Sequence, residues 1–225
     1  MTTKVHPRPL VAVDVVAAAV LESELQLLLI RRGIPPLQES LALPGGFVRV
    51  GDGVVDQGES LKDAARRELV EETRVDVDVN DLVCVKAFGA PHRDPRTRVI
   101  SVAFAVAVRP EVAAFIRAGT DAASVRWFAV RDLDKVTLAF DHNEIARACL
   151  ARLRRDVDVF LPRLAPRVFS LAELRAAHDA VVGGRSDPGN FRRGFVKDVD
   201  AGRIVPAPGQ RVTGKRPAAV WRFAA

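Results

Sequence analysis

Three carboxylates crowd one turn of a single predicted helix. The stretch from Glu59 to Val75 contains no Gly or Pro and is rich in Leu, Ala, Glu, Lys and Arg, which predicts one helix. At 100° per residue, Leu61, Ala64, Ala65, Leu69 and Val75 share an apolar face. Glu68 and Glu72 fall in the middle of that face, and Glu71 lies at its edge beside Ala64. Carboxylates at i, i+3 and i+4 repel one another, and turned towards a core they also lose hydration. A hard divalent cation with oxygen ligands offsets both costs, so Mg²⁺ or Mn²⁺ at Glu68, Glu71 and Glu72 is the simplest chemistry for the pattern. A solvated helix laced by the pairs Asp63–Arg67 and Arg67–Glu71 accounts for Glu71, but not for Glu68 and Glu72.

Glu59, seven residues, then Arg67-Glu68-Leu69-x-Glu71-Glu72 resembles the Nudix box, G-x5-E-x7-R-E-U-x-E-E-x-G-U with U aliphatic. The resemblance implies an α/β/α sandwich around a mixed sheet, with Glu68, Glu71 and Glu72 holding Mg²⁺ against a substrate diphosphate. Two departures stand out. Arg74 occupies the place of the box glycine, at a helix end where Gly supplies φ > 0. Gly53 keeps the G-x5-E spacing formally, yet the usual Leu-Pro-Gly-Gly lead-in is Leu43 to Gly46, twelve residues before Glu59 instead of five. Both changes touch the loop that aims the carboxylates. The box remnants Glu59, Arg67, Glu68, Glu71 and Glu72 are therefore expected to serve ligand binding and a weakly held cation, with catalysis impaired.

A second cluster follows at Phe88-Gly89-Ala90-Pro91-His92-Arg93-Asp94-Pro95-Arg96, which resembles the loop of ADP-ribose-type Nudix proteins. Arg93, Arg96 and Arg98 suit phosphate or ribose contacts, and with Arg31, Gly45 and Gly46 they make the expected ligand site. An exposed turn with incidental arginines fits the same residues. His92 reads as solvated or structural. Phe140 to Ile145 resembles the closing segment of the same subgroup, with Asp141 as N-cap and Glu144 three residues on. Capping and surface roles suit Asp141, His142 and Glu144 better than a metal site does.

The elements that must position these groups are legible from periodicity. Leu10 to Val20 and Leu27 to Arg32 read as buried strands joined by a turn at Glu22 to Glu24. Val75 to Val79, Leu82 to Phe88, Val99 to Val108 and Val125 to Val130 are further strand candidates, and Asp141 to Leu153 a helix. With 225 residues, 48% of them hydrophobic, the chain has ample core and is not disordered. Cys84 and Cys149 suggest no disulfide framework. The apolar run Val11 to Leu21 is too short to span a bilayer and contains Asp14. A cytoplasmic protein without membrane contact is expected.

Composition shifts after Leu161-Pro162, which predicts a ligand-binding domain over 1–160 and a second domain over 161–225. Residues 163–225 hold twelve Lys/Arg against five acids, a balance of +7, leaving −1 for the preceding 162 residues of a chain whose total is +6. Such asymmetry points to nucleic acid or an anionic surface. Ser170 with Glu173 forms a capping box for one helix, which Gly183-Gly184 ends. Asp187-Pro188 opens a second helix with Phe191, Phe195 and Val199 on one side and Asn190, Arg192, Arg193 and Lys197 on the other. Ile204-Val205 and Val220 to Phe223 read as short strands around a loop with Arg211, Lys215 and Arg216. These are the parts of a winged helix-turn-helix, and those seven polar residues are the expected DNA contacts. A small basic module that docks protein or RNA is the alternative.

A Nudix-like domain followed by this tail resembles the NrtR family of transcriptional regulators along nearly the whole chain. The resemblance implies a homodimeric repressor of NAD-metabolism genes that binds a palindromic operator and senses ADP-ribose or a related nucleotide. The alternative is an active Nudix hydrolase of the ADP-ribose pyrophosphatase type, with a basic accessory domain.

Overall fold

The sheet is built on one long apolar strand. β1 (Leu10–Leu21) and β2 (Glu24–Arg31) form a hairpin whose turn residues, Glu22 and Ser23, both have positive φ (53° and 62°), as a two-residue hairpin turn of the primed type requires. β3 (Leu41–Ala42) pairs with β2, and β4 (Gly45–Phe47) pairs with β1 beside it. After α1 (Leu61–Thr73) come β5 (Val83–Phe88) and β6 (Val99–Ala107). Then follow α2 (Pro110–Gly119), β7 (Val125–Ala129) and α3 (His142–Arg155). The order across the sheet is β3-β2-β1-β6-β5, with β7 on β2; β1 and β6 run parallel and the other pairs antiparallel. This computed structural model describes residues 8–51, 58–119, 125–212 and 217–224. None of its helices is long and apolar enough to cross a membrane.

β1 is buried on both faces because each face has a helical layer. Val13, Val15, Ala17 and Ala19 pack with Ala64, Ala65 and Leu69 of α1 and Ala113 and Ile116 of α2. Val16, Ala18 and Val20 face the other way, with Ile145, Ala146, Cys149 and Leu153 of α3. The expected α/β/α sandwich around a mixed sheet is therefore present. The period of two places Asp14 on the α3 side.

The second core cluster continues without a gap into the tail. α4 (Val157–Leu164) contributes Phe160, Leu161 and Leu164. α5 (Leu171–Val182) contributes Leu174, Ala177 and Val181, and also touches β1 and β2. α6 (Pro188–Asp200) adds Phe195. The hairpin β8 (Ile204–Val212) and β9 (Pro217–Phe223) closes the tail, with Trp221 bridging to Phe169 through hydrogen bonds of 2.9 and 2.8 Å. The tail thus runs in the order helix, single bridge, two helices and a hairpin.

α4 runs through Leu161-Pro162: Pro162 has no N–H for the carbonyl four residues back, and burial of Phe160, Leu161 and Leu164 holds the helix together. Other expectations need correction. Val75 to Val79 is not a strand. Val75 and Val77 pack against the α1 side of the core while Arg66 takes the Val77 carbonyl at 3.0 Å, so the alternation is satisfied without a neighbouring strand. α2 was not among the expected elements, and both tail strands are longer than their apolar residues suggested.

Candidate functional site

α1 is capped and aimed by its own side chains. Ser60 accepts the Asp63 N–H at 3.2 Å at the N-terminus. At the other end Arg74 adopts the left-handed conformation (φ 63°) and donates its N–H to Val70, so an arginine holds the geometry that the box gives to glycine. Arg67 uses its whole fork: Nε and one terminal nitrogen bind Glu59 at 2.9 and 2.6 Å, and the other binds Glu68 at 2.6 Å and Glu71 at 3.2 Å. These bonds, with Glu59 foremost, raise the Arg67 pKa, and Arg67 in turn lowers that of Glu59.

The long insertion before the helix is pinched off at its neck. The Arg49 N–H donates to Glu59 Oε1 at 2.8 Å, and the Glu59 N–H returns to the Arg49 carbonyl at 3.1 Å. Gly58 makes the crossing possible: its φ is +86°, and a Cβ there would meet the Arg49 carbonyl at 2.4 Å. Glu59 thus keeps its place despite the extra residues. Gly53 lies outside the described residues.

Glu68 and Glu72 turn inwards onto β4. The Gly45 N–H donates to Glu72 at 2.9 Å, and a Cβ on Gly46 would lie 2.4 Å from Glu68 Oε1, so this approach requires glycine. Burial pushes the Glu72 pKa up to about 7, and neighbouring Glu68 and Asp14 act in the same direction. Glu71 faces outwards and bonds Arg49 at 3.0 Å. The three carboxylates are oxygen donors of the right chemistry for a hard cation, but they are engaged by Arg67, Arg49 and Gly45. Among the described residues no three metal-ligating side chains converge.

On the other side of the β4 glycines lies a polar cavity lined by Asp14, Arg32, Phe47, Arg96, Phe140 and His142 among others. Its floor is a closed network. Ser101 Oγ donates to Asp14 at 2.5 Å, and Arg93 reaches Asp14 at 3.2 Å while forking onto Asp141 at 2.9 and 2.7 Å. His142 Nδ1 accepts the Leu43 N–H at 2.9 Å, which leaves the ring proton on Nε2, 3.3 Å from Asp14 Oδ1. Burial lowers the His142 pKa, so the ring is neutral. The rim carries two further cations, Arg32 donating to the Pro36 carbonyl at 3.0 Å and Arg96 forked onto Asp94 at 3.0 and 2.7 Å. Arg32 lies over the Phe140 ring at 4.7 Å, and Arg96 over the same ring at 5.7 Å and over Phe47 at 5.4 Å. Burial, and after it the nearby Arg96, lowers the Arg32 pKa, whereas the fork onto Asp94 raises that of Arg96.

The expected ligand residues are thus partly reassigned. Gly45, Gly46, Arg93 and Arg96 line the cavity, though Arg93 is already bound by two carboxylates. Arg31 points to Glu39, and its neighbour Arg32 takes the cavity position, because successive strand residues face opposite ways. Arg98 binds the Ala90 carbonyl at 3.2 Å outside the cavity. Asp141 makes no side-chain cap, since Arg93 holds its carboxylate, and Glu144 pairs loosely with Lys86 at 3.9 Å. His142 is buried, not a surface group. The signal for Asp14 was present in the sequence: an acid inside an apolar strand has to be bound by something.

In the tail, Ser170 and Glu173 form the expected capping box, and Asp187 caps α6 by accepting the Asn190 N–H at 2.7 Å. Phe195 is buried edge-on against Trp221 at 5.3 Å, leaving Asn190, Arg192, Arg193 and Lys197 exposed. Arg211 binds Glu173 and ties the hairpin to α5, so it is not a free cation. Lys215 and Arg216 lie outside the described residues.

Residues 11–153 match the NUDIX domain family. The chain is 31% identical to the "ADPR responsive transcriptional repressor NtrR" of Acinetobacter baylyi over 221 residues, 97% of this chain and 84% of that protein. It is also similar to the crystal structure of Shewanella oneidensis NrtR complexed with a 27mer DNA, with a TM-score of 0.79 and 25% identity over 95% of this chain and 93% of the other. The NUDIX domain of Shewanella oneidensis NrtR complexed with ADP ribose matches with a TM-score of 0.52 and 26% identity over 66% of this chain and 90% of that one.

Proposed function

The chain belongs to the NrtR family of Nudix-related transcriptional regulators, and from that premise we propose that it is a repressor of NAD-metabolism genes that releases or retunes its operator on binding ADP-ribose. The observation that carries this reading is the pairing of Arg32 and Arg96 over Phe140. Two guanidiniums brought to one rim suit a dianion such as a diphosphate, which would compete with Asp94 for Arg96. The second half of the function lies in residues 161–225, read as a winged helix-turn-helix. There α6 presents Asn190, Arg192, Arg193 and Lys197 to the phosphates and base edges of a major groove. Residues 1–160 are the sensing half. A homodimer on a palindromic operator, working in the cytoplasm where that DNA is, completes the proposal.

Mg²⁺ or Mn²⁺ would be held by Glu68, Glu71 and Glu72, and weakly, because Arg67 and Arg49 must first give up those carboxylates. A bound cation would supply charge neutralisation for a diphosphate. The alternative hydrolase reading retains Glu59, Arg67, Glu68, Glu71 and Glu72, so the test measures both activities. Footprinting of the chain's own promoter with and without ADP-ribose should show protection that changes with ligand. ADP-ribose turnover with Mg²⁺ should stay far below the ordinary enzyme range of about 10 s⁻¹. Full turnover without ligand-dependent protection would establish the hydrolase reading.

A further inference from the structure

The effector cavity and the reader's helical joint sit at opposite ends of one helix. α3 begins at the cavity, where Arg93 grips Asp141 and His142 is held between the Leu43 N–H and Asp14. It runs for 14 residues, roughly 21 Å at the usual rise. Along its length Ile145, Ala146, Cys149, Leu150 and Leu153 share one buried cluster with Leu174, Ala177 and Val181 of α5. In a close-packed core the two helices cannot shift independently without opening a gap.

At the far end Arg154 leaves its own helix. Arg152 and Arg155 both pair with Asp156, whereas Arg154 Nε donates to the Val181 carbonyl of α5 at 3.3 Å. That carbonyl is among the four that a helix C-terminus leaves without an intrahelical donor, and a cation there also suits the helix dipole. A Cβ on Gly183, the left-handed residue ending α5, would lie 3.9 Å from the Arg154 terminal nitrogen. The other side of the same turn is held from within: Arg175 donates to the Ser186 carbonyl at 2.6 Å, and the Ser186 N–H to Asp179 at 3.0 Å. Asp187, the next residue, caps α6.

We propose that Arg154 is the positioning residue through which effector occupancy sets the presentation of α6, an inference that rests on the effector reading above. An anionic ligand in the cavity competes with Asp141 for the Arg93 guanidinium and so loosens the anchor at the start of α3. The helix responds as one rod, and Arg154 carries the displacement of its far end to the turn between α5 and α6.

The test compares Arg154→Met, which keeps the aliphatic stem and removes the donors, with Arg154→Lys, which restores the charge and one donor. Anisotropy of a duplex enriched from a random library by the wild-type chain is read with and without ADP-ribose and across salt. Calorimetry gives the ADP-ribose affinity of the free protein. Arg154→Met is expected to bind DNA alone and ADP-ribose alone within about twofold of wild type, with the same salt slope, yet to keep less than about a third of the ligand's effect on DNA affinity. Arg154→Lys should fall between the two. An undiminished ligand effect in Arg154→Met overturns the proposal. So does a salt slope lower by about one, which would make Arg154 a phosphate contact. If thermal melts show that Arg154→Met does not fold, Arg154→Lys decides by the same ratio. A wild-type chain whose DNA binding ignores ADP-ribose overturns the effector reading itself, and this inference falls with it.

Discussion

Glu72 is a carboxylate whose pKa burial pushes well above its ordinary value. In the unfolded chain it ionises near 4.5, and in the fold at about 7. Between those values the native state keeps a proton that the unfolded state releases, so stability falls as pH rises from 4.5 through 7. Glu72→Gln keeps the acceptor for the Gly45 N–H and removes the titration. It should therefore gain about 2–3 kcal/mol on the wild type between pH 5 and pH 8, read from urea unfolding at the two values. An equal difference at both values would mean that Glu72 ionises normally. The same titration governs the cation: Mn²⁺ affinity, followed by electron paramagnetic resonance, should rise through pH 7 in the wild type and lose that rise in Glu72→Gln.

Helix ends and the hairpin carry the effects at the scale of elements. Arg74 sits in the left-handed region with a side chain that region disfavours. Arg74→Gly should raise stability by about 1 kcal/mol, seen as a higher urea midpoint with unchanged slope. A lower midpoint would show that the arginine side chain contributes more than the strain costs. In the reader, two kinds of arginine should separate by salt. Arg193→Ala and Lys197→Ala, on the exposed face of α6, should each lower the salt slope of DNA binding by about one. Arg211→Ala breaks the link from β8 to Glu173 at the start of α5, so it should weaken binding with the slope unchanged. A slope lowered as much by Arg211→Ala would place that residue on the DNA backbone instead.

At the scale of the whole molecule, one continuous apolar cluster runs from β1 through α3 and α4 to α5 and α6. This packing allows the two halves to communicate, and linkage makes the communication reciprocal. If ADP-ribose weakens DNA binding tenfold, the coupling is about 1.4 kcal/mol, and DNA must weaken ADP-ribose binding by the same factor. Both titrations at one salt concentration check it. Equal ADP-ribose affinity for free protein and for the DNA complex would remove ADP-ribose as the effector.

Periodicity and spacing alone determined much of this protein. The helix from Leu61, the long apolar strand, the capped helix after Ser170 and the basic helix opened by Asp187-Pro188 all follow from local chemistry, because a cap, a turn or an amphipathic stripe is written within a few residues. The carboxylate cluster and the glycines facing it were legible for the same reason. What the chain could not reveal locally is which partner each charge finds. Arg93 and Asp141 are 48 positions apart, and Leu43 and His142 are 99 apart. Only the packing of α3 across β1 turns Asp14 and His142 into the floor of a cavity and commits Arg93 and Arg211 to carboxylates. A strand register decides between Arg31 and Arg32, and a one-residue shift exchanges the two faces. That α4 continues through Pro162 is likewise a tertiary effect, since burial on both sides of it outweighs the loss of one hydrogen bond.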